Sequence, residues 1–166
     1  MPAASSFDVT STVDLQEVDN AINQARKEVG QRYDFKGSPA AIEFSKTDNT
    51  LTLVAEDAFK MDQLWEILQT RLVRRNVPVK NLKLGEIENA ANSTVRRVIT
   101  LQQGIPGDAA RDIIKYLKDQ KLKKVQASIQ GDQLRISSAS KDELQEVIRL
   151  LRNHDFGIAL QFGNYR

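Results

Sequence analysis

The sequence predicts an α+β fold made of two small split βαβ sandwiches related by duplication. Apolar residues recur first at every second position and then at every third or fourth, in the order β-α-β-β-α-β, and that whole order appears twice. The segment that starts at Asn49 aligns without a gap with the segment that starts at Asp132. With 166 residues, 40% of them hydrophobic, the chain is long enough for two small domains.

The first repeat spans residues 1–91 and alternates between the two periods. Asp14 is predicted to open its first helix, because a carboxylate there accepts the free backbone N–H groups of the first turn. In order, the elements are a strand over 7–13, a helix from Asp14, two strands joined by a turn at Asp48 and Asn49, a helix from about Asp57 and a short strand after Pro78.

The second repeat spans residues 92–166 and follows the same order. Gly131 and Asp132 form a two-residue hairpin turn, with glycine where positive φ is needed. Ser140 and Glu143 form a capping box at the start of the last helix. In order, the elements are a strand over 94–102, a helix through Ile113, a hairpin across Gly131, a helix after Ser140 and a closing strand over 158–162.

Most catalytic and metal chemistry is absent from the sequence. The chain has no cysteine, which excludes disulfides, thiolate metal sites and a catalytic thiol. Its single histidine, His154, is expected near the end of the last helix, where an imidazolium gains from the helix dipole. No nucleophile elbow, Walker A loop or GxGxxG turn occurs, and the carboxylates show no metal-ligand spacing. We therefore expect no catalytic residues, no metal and no cofactor.

The sequence also indicates in which compartment of the cell the protein is expected. The longest runs without a charge are ten residues, whereas a membrane span needs about twenty apolar residues. The opening residues carry neither the basic nor the apolar region of a secretory signal. A cytoplasmic protein without a membrane partner is therefore expected.

The formal net charge of +2 conceals an asymmetry between the two halves. Residues 1–90 hold 11 Lys and Arg against 14 Asp and Glu, whereas residues 91–166 hold 13 against 8. The halves therefore carry −3 and +5, and the second half favours an anionic partner. A solvated basic face would give the same balance, so both interpretations stay open.

The strand after the third helix is predicted to present polar side chains on an open sheet face. If the apolar residues of 125–129 face the core, Gln126 and Gln130 point the other way, and Arg135 joins them through the hairpin pairing. Amides and guanidinium groups read base edges, while lysines neutralise phosphates. The central strands lack the aromatic residues on which an RNA-recognition motif stacks bases. An ordinary hydrated face is the alternative interpretation.

Four segments resemble one bacterial family in the same order along the chain. They are FDV from Phe7, RYDFKG over 32–37, KLKKVQASIQGD over 121–132 and LQFGNYR over 160–166. On these segments, which span nearly the whole chain, the protein is identified as a member of the YajQ family. The resemblance implies two ferredoxin-like domains related by duplication, with strands 7–13 and 94–102 exchanged between them.

The resemblance also implies a function. Family members are described as nucleotide-binding proteins, and some are reported as receptors for cyclic di-GMP that act through protein partners or transcription, without an established catalytic activity. We therefore expect a non-enzymatic protein whose ligand is a nucleotide or a cyclic dinucleotide. RNA binding through the basic second half is the main alternative, and an enzyme acting on phosphate esters and a scaffold are further ones.

The matched segments supply the predicted ligand contacts. The polar and basic members of RYDFKG are expected to touch the ligand, although a structural corner held by Tyr33 and Phe35 is equally compatible with this motif. Ala139 and Gln102 stand where lysines are common in the family, which is expected to weaken binding. The predicted nucleotide-binding residues are Arg32, Lys36, Lys121, Lys123, Gln126, Gln130 and Arg135.

Overall fold

The computed structural model describes residues 4–122 and 124–166. Within them, helices and strands follow the predicted order, with one two-residue strand, β5, added near the end of the first repeat. The α+β fold class is thereby confirmed. The strands are β1 (Ser5–Thr10), β2 (Ala41–Ser45), β3 (Thr50–Ala55), β4 (Leu82–Leu84), β5 (Glu88–Asn89), β6 (Val95–Leu101), β7 (Val125–Gln130), β8 (Gln133–Ser138) and β9 (Gln161–Gly163), and the helices are α1 (Leu15–Gln31), α2 (Ala58–Arg74), α3 (Gly107–Asp119) and α4 (Lys141–Arg152).

The chain forms two compact units, each with its own sheet and core. The central unit is Val13–Gln102, and the composite unit joins the residues up to Thr12 to Gln103–Arg166. The strand order is β2-β3-β6-β4 in the central unit, with β5 beside β6, and β7-β8-β1-β9 in the composite unit. The first strand of each repeat therefore lies in the sheet of the other repeat. The division into repeats 1–91 and 92–166 follows the order of the elements along the sequence, and it stays a prediction.

Alternation along β3 and β6 builds the core of the central unit. Leu51 lies opposite Ile99 in the antiparallel register, and both side chains are fully buried. Helix α1 begins where the sequence predicts, because the Asp14 carboxylate accepts two backbone N–H groups of the first turn at 3.0 and 3.4 Å. Asp57 starts α2 in the same way and accepts the N–H three residues on at 2.8 Å.

The core of the composite unit is built on β1 and β8. Phe7 lies opposite Ile136 in the antiparallel register, and both side chains are at most 1% exposed. Gly131 adopts a φ of +65° in the two-residue turn between β7 and β8. Ser140 caps α4, because its hydroxyl accepts the N–H three residues on at 3.3 Å. Sequence and structure therefore agree on the turn and on this helix start, but the predicted capping box is only half formed, because the Ser140 N–H donates to the Ser138 hydroxyl at 3.0 Å and not to Glu143.

Three details of the strands differ from the sequence prediction. The closing strand, predicted over 158–162, is β9 and covers only Gln161–Gly163. The strand predicted over 7–13 is β1, which ends at Thr10, and Val13 lies in the core of the central unit just before α1. Ile129, expected in a core, is 52% exposed. The reason is that β7 is the outer strand of its sheet and therefore has a neighbouring strand on one side only.

Candidate functional site

The RYDFKG segment forms the corner between α1 and β2. Helix α1 ends at Gln31, a single 3₁₀ turn over Tyr33–Phe35 follows, and Gly37 turns the chain with a φ of +76°. Phe35 is 4% exposed in the core of the central unit, whereas Tyr33 is 88% exposed. Phe35 therefore anchors the corner, and Tyr33 takes no part in that anchoring.

The guanidinium of Arg32 is paired with two carboxylates at this corner. Its Nε and Nη2 atoms donate to the two carboxylate oxygens of Asp34 at 3.0 and 2.9 Å, and Nη1 lies 3.6 Å from Glu28. The hydrogen bond to Asp34 raises the pKa of Arg32, and the same bond lowers the pKa of Asp34. A phosphate at this guanidinium would have to compete with Asp34.

A cavity of about 490 Å³ is formed by the end of α1, the corner and β2. Small-molecule pockets typically measure roughly 300–1,000 Å³, so this cavity is of suitable size. Lys36, Arg26 and Ser38 supply its polar side chains. A methyl group added at Gly30 or Gly37 would meet no atom within 4 Å, so both glycines border open space. The apolar lining residues are Val29, Phe35, Ala40, Ala41, Ile42 and Leu64.

The three polar side chains at this cavity differ in their freedom to bind a ligand. Arg26 donates through Nε and Nη2 to the main-chain oxygen of Ile42 at 3.2 and 2.5 Å. The hydroxyl oxygen of Ser38 is buried and has no hydrogen-bond partner among the described residues, which is costly for a polar atom. Lys36 is exposed to solvent. Ser38 and Lys36 are therefore the groups best able to bind a ligand here.

The polar face predicted from the sequence lies on the sheet of the composite unit. In the register of β7 and β8, Ser128 lies opposite Arg135 and Gln126 lies opposite Ser137. These side chains share one face, because successive side chains of a strand alternate. Gln126 and Gln130 are exposed, and the Gln130 amide donates to the Ser128 hydroxyl at 3.2 Å. The amides and the guanidinium are thus displayed on one surface.

Asp8, on the neighbouring strand β1, holds the side chain of Arg135 on this face. It lies opposite Arg135 in the register and is only 6% exposed. Its carboxylate accepts hydrogen bonds from Nδ2 of Asn164 at 2.7 Å and from Nε of Arg135 at 3.1 Å, and Nη2 of Arg166 lies 3.9 Å away. The bond from Asn164, and then the contact with Arg135, lowers the pKa of Asp8, although burial acts in the opposite direction. Arg135 is therefore held in place through its Nε atom.

Replacing Asp8 by asparagine is expected to lower the free energy of unfolding at pH 7 by about 1–3 kcal/mol, because charge-assisted hydrogen bonds are lost and Arg135 keeps an unpaired charge. Since the folded pKa of Asp8 lies below its unfolded value of about 3.9, this contribution is complete above roughly pH 5. It is lost as the pH falls through the folded pKa. Urea unfolding at pH 7 and at successively lower pH should show the two proteins converging.

The matched control for this titration is Glu43→Gln, which alters an exposed carboxylate of β2. Surface changes of this kind usually alter stability by less than about 0.5 kcal/mol. A difference between the wild type and Asp8→Asn that stays constant down to pH 3 would contradict the assignment of the effect to the Asp8 carboxylate.

The seven ligand contacts predicted from the sequence fall into separate groups. Two lie at the corner of the central unit, three lie on the sheet face of the composite unit, and one lies exposed in the turn after α3, with a φ of +58°. The last lies outside the described residues. In that order they are Arg32 and Lys36; Gln126, Gln130 and Arg135; Lys121; and Lys123. Their role in binding stays a prediction.

The sequence analysis did not predict three residues that contribute to the cavity beside Lys36 or to the sheet face of the composite unit. Ser38 directly follows RYDFKG, and that position was the available signal for it. Asp8 lies in the FDV motif and its partner Asn164 in LQFGNYR, so two of the four matched segments meet at one carboxylate. Arg26 has no local signal, because only the fold brings its side chain to the Ile42 carbonyl.

The single histidine packs against aromatic rings. His154 follows the end of α4, and its ring stacks on Tyr116 with centroids 4.2 Å apart, while Phe156 lies at 4.5 Å. Within residues 4–122 and 124–166, no cluster of three or more His, Cys, Asp or Glu side chains could hold a metal ion. The same residues contain no helix that combines the length and the apolar character needed to cross a bilayer.

The fold defines a class of protein in which two ferredoxin-like units exchange their first strands. Comparison with known proteins then identifies the family. The family model described as "Nucleotide-binding protein YajQ-like" matches residues 5–166. The chain therefore belongs to the YajQ family, as the four sequence motifs predict.

Curated relatives match this chain over almost their whole length. A nucleotide-binding protein of Koribacter versatilis is 52% identical over 164 residues, which cover 99% of this chain and 98% of the relative. One from Solibacter usitatus is 53% identical over 161 residues, 97% of this chain and 96% of the relative. One from Desulfitobacterium hafniense is 49% identical over 166 residues and covers both chains completely.

Proposed function

We propose that this protein binds a nucleotide without transforming it and that the cavity beside Lys36 is the binding site. The family description and the names of the relatives support nucleotide binding. The observation that carries the site is the cavity itself, of about 490 Å³, whose apolar walls adjoin an exposed lysine and a buried serine hydroxyl without a partner among the described residues.

Each part of this cavity fits one part of a nucleotide. Apolar side chains such as Val29 and Ala41, which are partly exposed, can bury the face of a base. Lys36 offers a positive charge and three N–H donors to a phosphate. The hydroxyl of Ser38 gains the hydrogen bond that it lacks among the described residues. Arg26 stays on the Ile42 carbonyl and fixes the position of that wall.

The proposal includes the absence of catalysis. A reaction at the phosphates would need an activated nucleophile, a general base or a metal ion at the cavity. Its described lining residues include no carboxylate and no histidine that could act as a general base for the Ser38 hydroxyl. The relatives, too, are named for binding. A cytoplasmic location belongs to the same proposal.

Within the nucleotides, we propose cyclic di-GMP as the ligand, with a signal passed on through protein partners. The support is the resemblance to family members that are reported as cyclic di-GMP receptors, and the predicted contacts of the composite unit are the alternative place for its guanine bases. Arginine is the side chain that most often reads the O6 and N7 atoms of guanine, and glutamine amides also pair with base edges. Arg135 binds Asp8 through Nε, and its side chain still exposes 35% of its surface. Gln126 and Gln130 lie exposed on the same face.

Calorimetry with ATP, GTP and cyclic di-GMP tests the binding site. Lys36→Ala is expected to weaken nucleotide binding about tenfold, because a charge-assisted contact with a phosphate is lost. The matched control is Lys46→Ala, which removes an exposed lysine from the turn between β2 and β3. Its affinity should equal that of the wild type.

Three other results would change the conclusion. No heat of binding for any of the three nucleotides at millimolar concentration would reject nucleotide binding. Unchanged affinity in Lys36→Ala, together with a loss in Arg135→Ala, would move the site to the sheet face of the composite unit. Tight binding to RNA with an affinity that falls steeply as salt rises would favour the RNA alternative, since neutralising many phosphates releases many counterions.

A further inference from the structure

We propose that the outer edge of β7 is a docking site for an extended acidic segment of a partner protein. The segment would pair with β7 as an additional strand of the composite unit's sheet and place apolar side chains in the cavity beside β7. This surface belongs to a different unit from the cavity at Lys36, so the proposal does not depend on nucleotide binding there.

The first support is the open backbone edge of β7. It is the outer strand of its sheet, next to β8 only. Every second residue of such a strand directs its N–H and C=O groups away from the sheet, which makes the edge a template for another strand. Proteins usually protect such edges with charged residues or proline. The sequence of β7, VQASIQ, contains neither.

The equivalent edge in the central unit is protected, which shows what β7 lacks. The internal repeat aligns β3 with β8, so that Leu53 corresponds to Ile136. Ile42 lies opposite Leu53, and Ala127 lies opposite Ile136. Ile42 of β2 is therefore the counterpart of Ala127 of β7. The carbonyl of Ile42 is occupied by the guanidinium of Arg26, and the exposed residue after it is Glu43. At Ala127, the described part of the chain provides no side-chain hydrogen bond to the carbonyl.

The second support is an apolar cavity of about 390 Å³ between α3 and β7. Ile129 is 52% exposed and shares a strand face with Val125 and Ala127, which both line this cavity. An added strand would present alternate side chains to the same face, where apolar ones would cover these groups. The cavity is lined by Ile114, Leu117, Lys118, Leu122, Val125, Gln126 and Ala127.

Charge defines the chemistry of the partner. Lys118, Lys121 and Lys124 are exposed at the end of α3 and in the turn that leads into β7, and Asp119 is the one acidic side chain among the described residues from 118 to 130. An acidic segment therefore complements this edge and associates faster at low salt. A nucleic acid fits less well, because β7 offers no aromatic ring for base stacking and five of the seven residues that line its cavity are apolar.

Fluorescence anisotropy with a short labelled peptide tests the proposal on the full chain. The peptide alternates valine with aspartate and glutamate, and it is compared with a version that carries lysine at the acidic positions. Binding of the acidic peptide is expected, with protection of the Ala127 and Ile129 amides from hydrogen exchange. Ile129→Glu should weaken it at least about tenfold, since this change removes an exposed apolar contact and places a like charge beside the acidic peptide. Glu43→Lys on β2 is the matched control and should bind normally.

A second probe tests the backbone pairing without altering the protein. N-methylation of alternate residues in the acidic peptide removes N–H donors along one edge and keeps its side chains and charge. An affinity reduced at least about tenfold supports strand addition, because several main-chain hydrogen bonds are lost.

Four results would overturn the proposal. The first is no binding of the acidic peptide at millimolar concentration. The second is equal affinity for the lysine version, which removes the charge argument. The third is a dimer of the protein that Ile129→Glu converts to a monomer, because a second copy would then occupy the edge. The fourth is competition in which single-stranded RNA displaces the peptide and protects the same two amides.

Discussion

Replacing Phe7 by alanine is expected to destabilise the composite unit by about 3–5 kcal/mol. The Phe7 ring is 1% exposed, lies opposite Ile136 in the sheet and packs edge-on against Phe162 with centroids 6.0 Å apart. Its removal leaves a cavity in a packed core. Residue 7 precedes the whole central unit in sequence, yet the loss falls on the unit that contains residues 103–166.

Hydrogen exchange measured residue by residue locates this loss. The amide of Ile136 in β8 should lose protection in Phe7→Ala, whereas the amide of Leu53 in β3 should keep it. Tyr33→Ala is the matched control, because this aromatic residue is 88% exposed and its removal should change stability by less than about 0.5 kcal/mol. If Leu53 loses as much protection as Ile136, the assignment of β1 to the composite unit is contradicted.

The reciprocal substitution, Ile99→Ala, is expected to destabilise the central unit by about 2–5 kcal/mol. Ile99 is fully buried on β6, where it lies opposite Leu51 of β3. In sequence it belongs to the second repeat, but its side chain completes the core of Val13–Gln102. Leu53 is therefore the amide expected to lose protection, and Ile136 the one expected to keep it.

The neighbouring residue on the same strand provides the control for this pair. Val98 points to the opposite face of β6 and is 36% exposed, so Val98→Ala should cost well under half as much as Ile99→Ala. Denaturant unfolding of the three proteins measures the difference. Equal losses at positions 98 and 99 would mean that the helices do not cover the face of β6 that carries Ile99.

Local periodicity was sufficient for the helices and strands but not for their partners. Phe7 alternates with polar neighbours in the same way whichever sheet its strand joins, so the exchange of first strands could come only from the family resemblance. Val13 looked like the end of that strand because it continues the alternation, whereas it packs in the other unit. Ile129 looked buried because its period is right, and only the position of β7 at the sheet edge exposes it.

At the candidate site, the sequence likewise predicted which side chains share a strand face but not which contacts they make. Gln126 and Arg135 share a face because hairpin register follows from the turn at Gly131, which can be read from the sequence. The difference between Arg32 and Lys36 could not be read, although they belong to one motif. Arg32 is paired with Asp34 at 2.9 Å, whereas Lys36 lines a cavity. Such differences depend on side-chain contacts that the spacing of residues does not encode.

The exchange of first strands sets an order for folding on the ribosome. β1 leaves the ribosome about 120 residues before its partner β8, so at roughly 5–20 residues per second it waits roughly 6–25 seconds for that strand. During this interval the central unit can close, while Phe7 and Val9 stay uncovered. Until β8 is made, nascent β1 therefore presents apolar side chains to which a chaperone can bind.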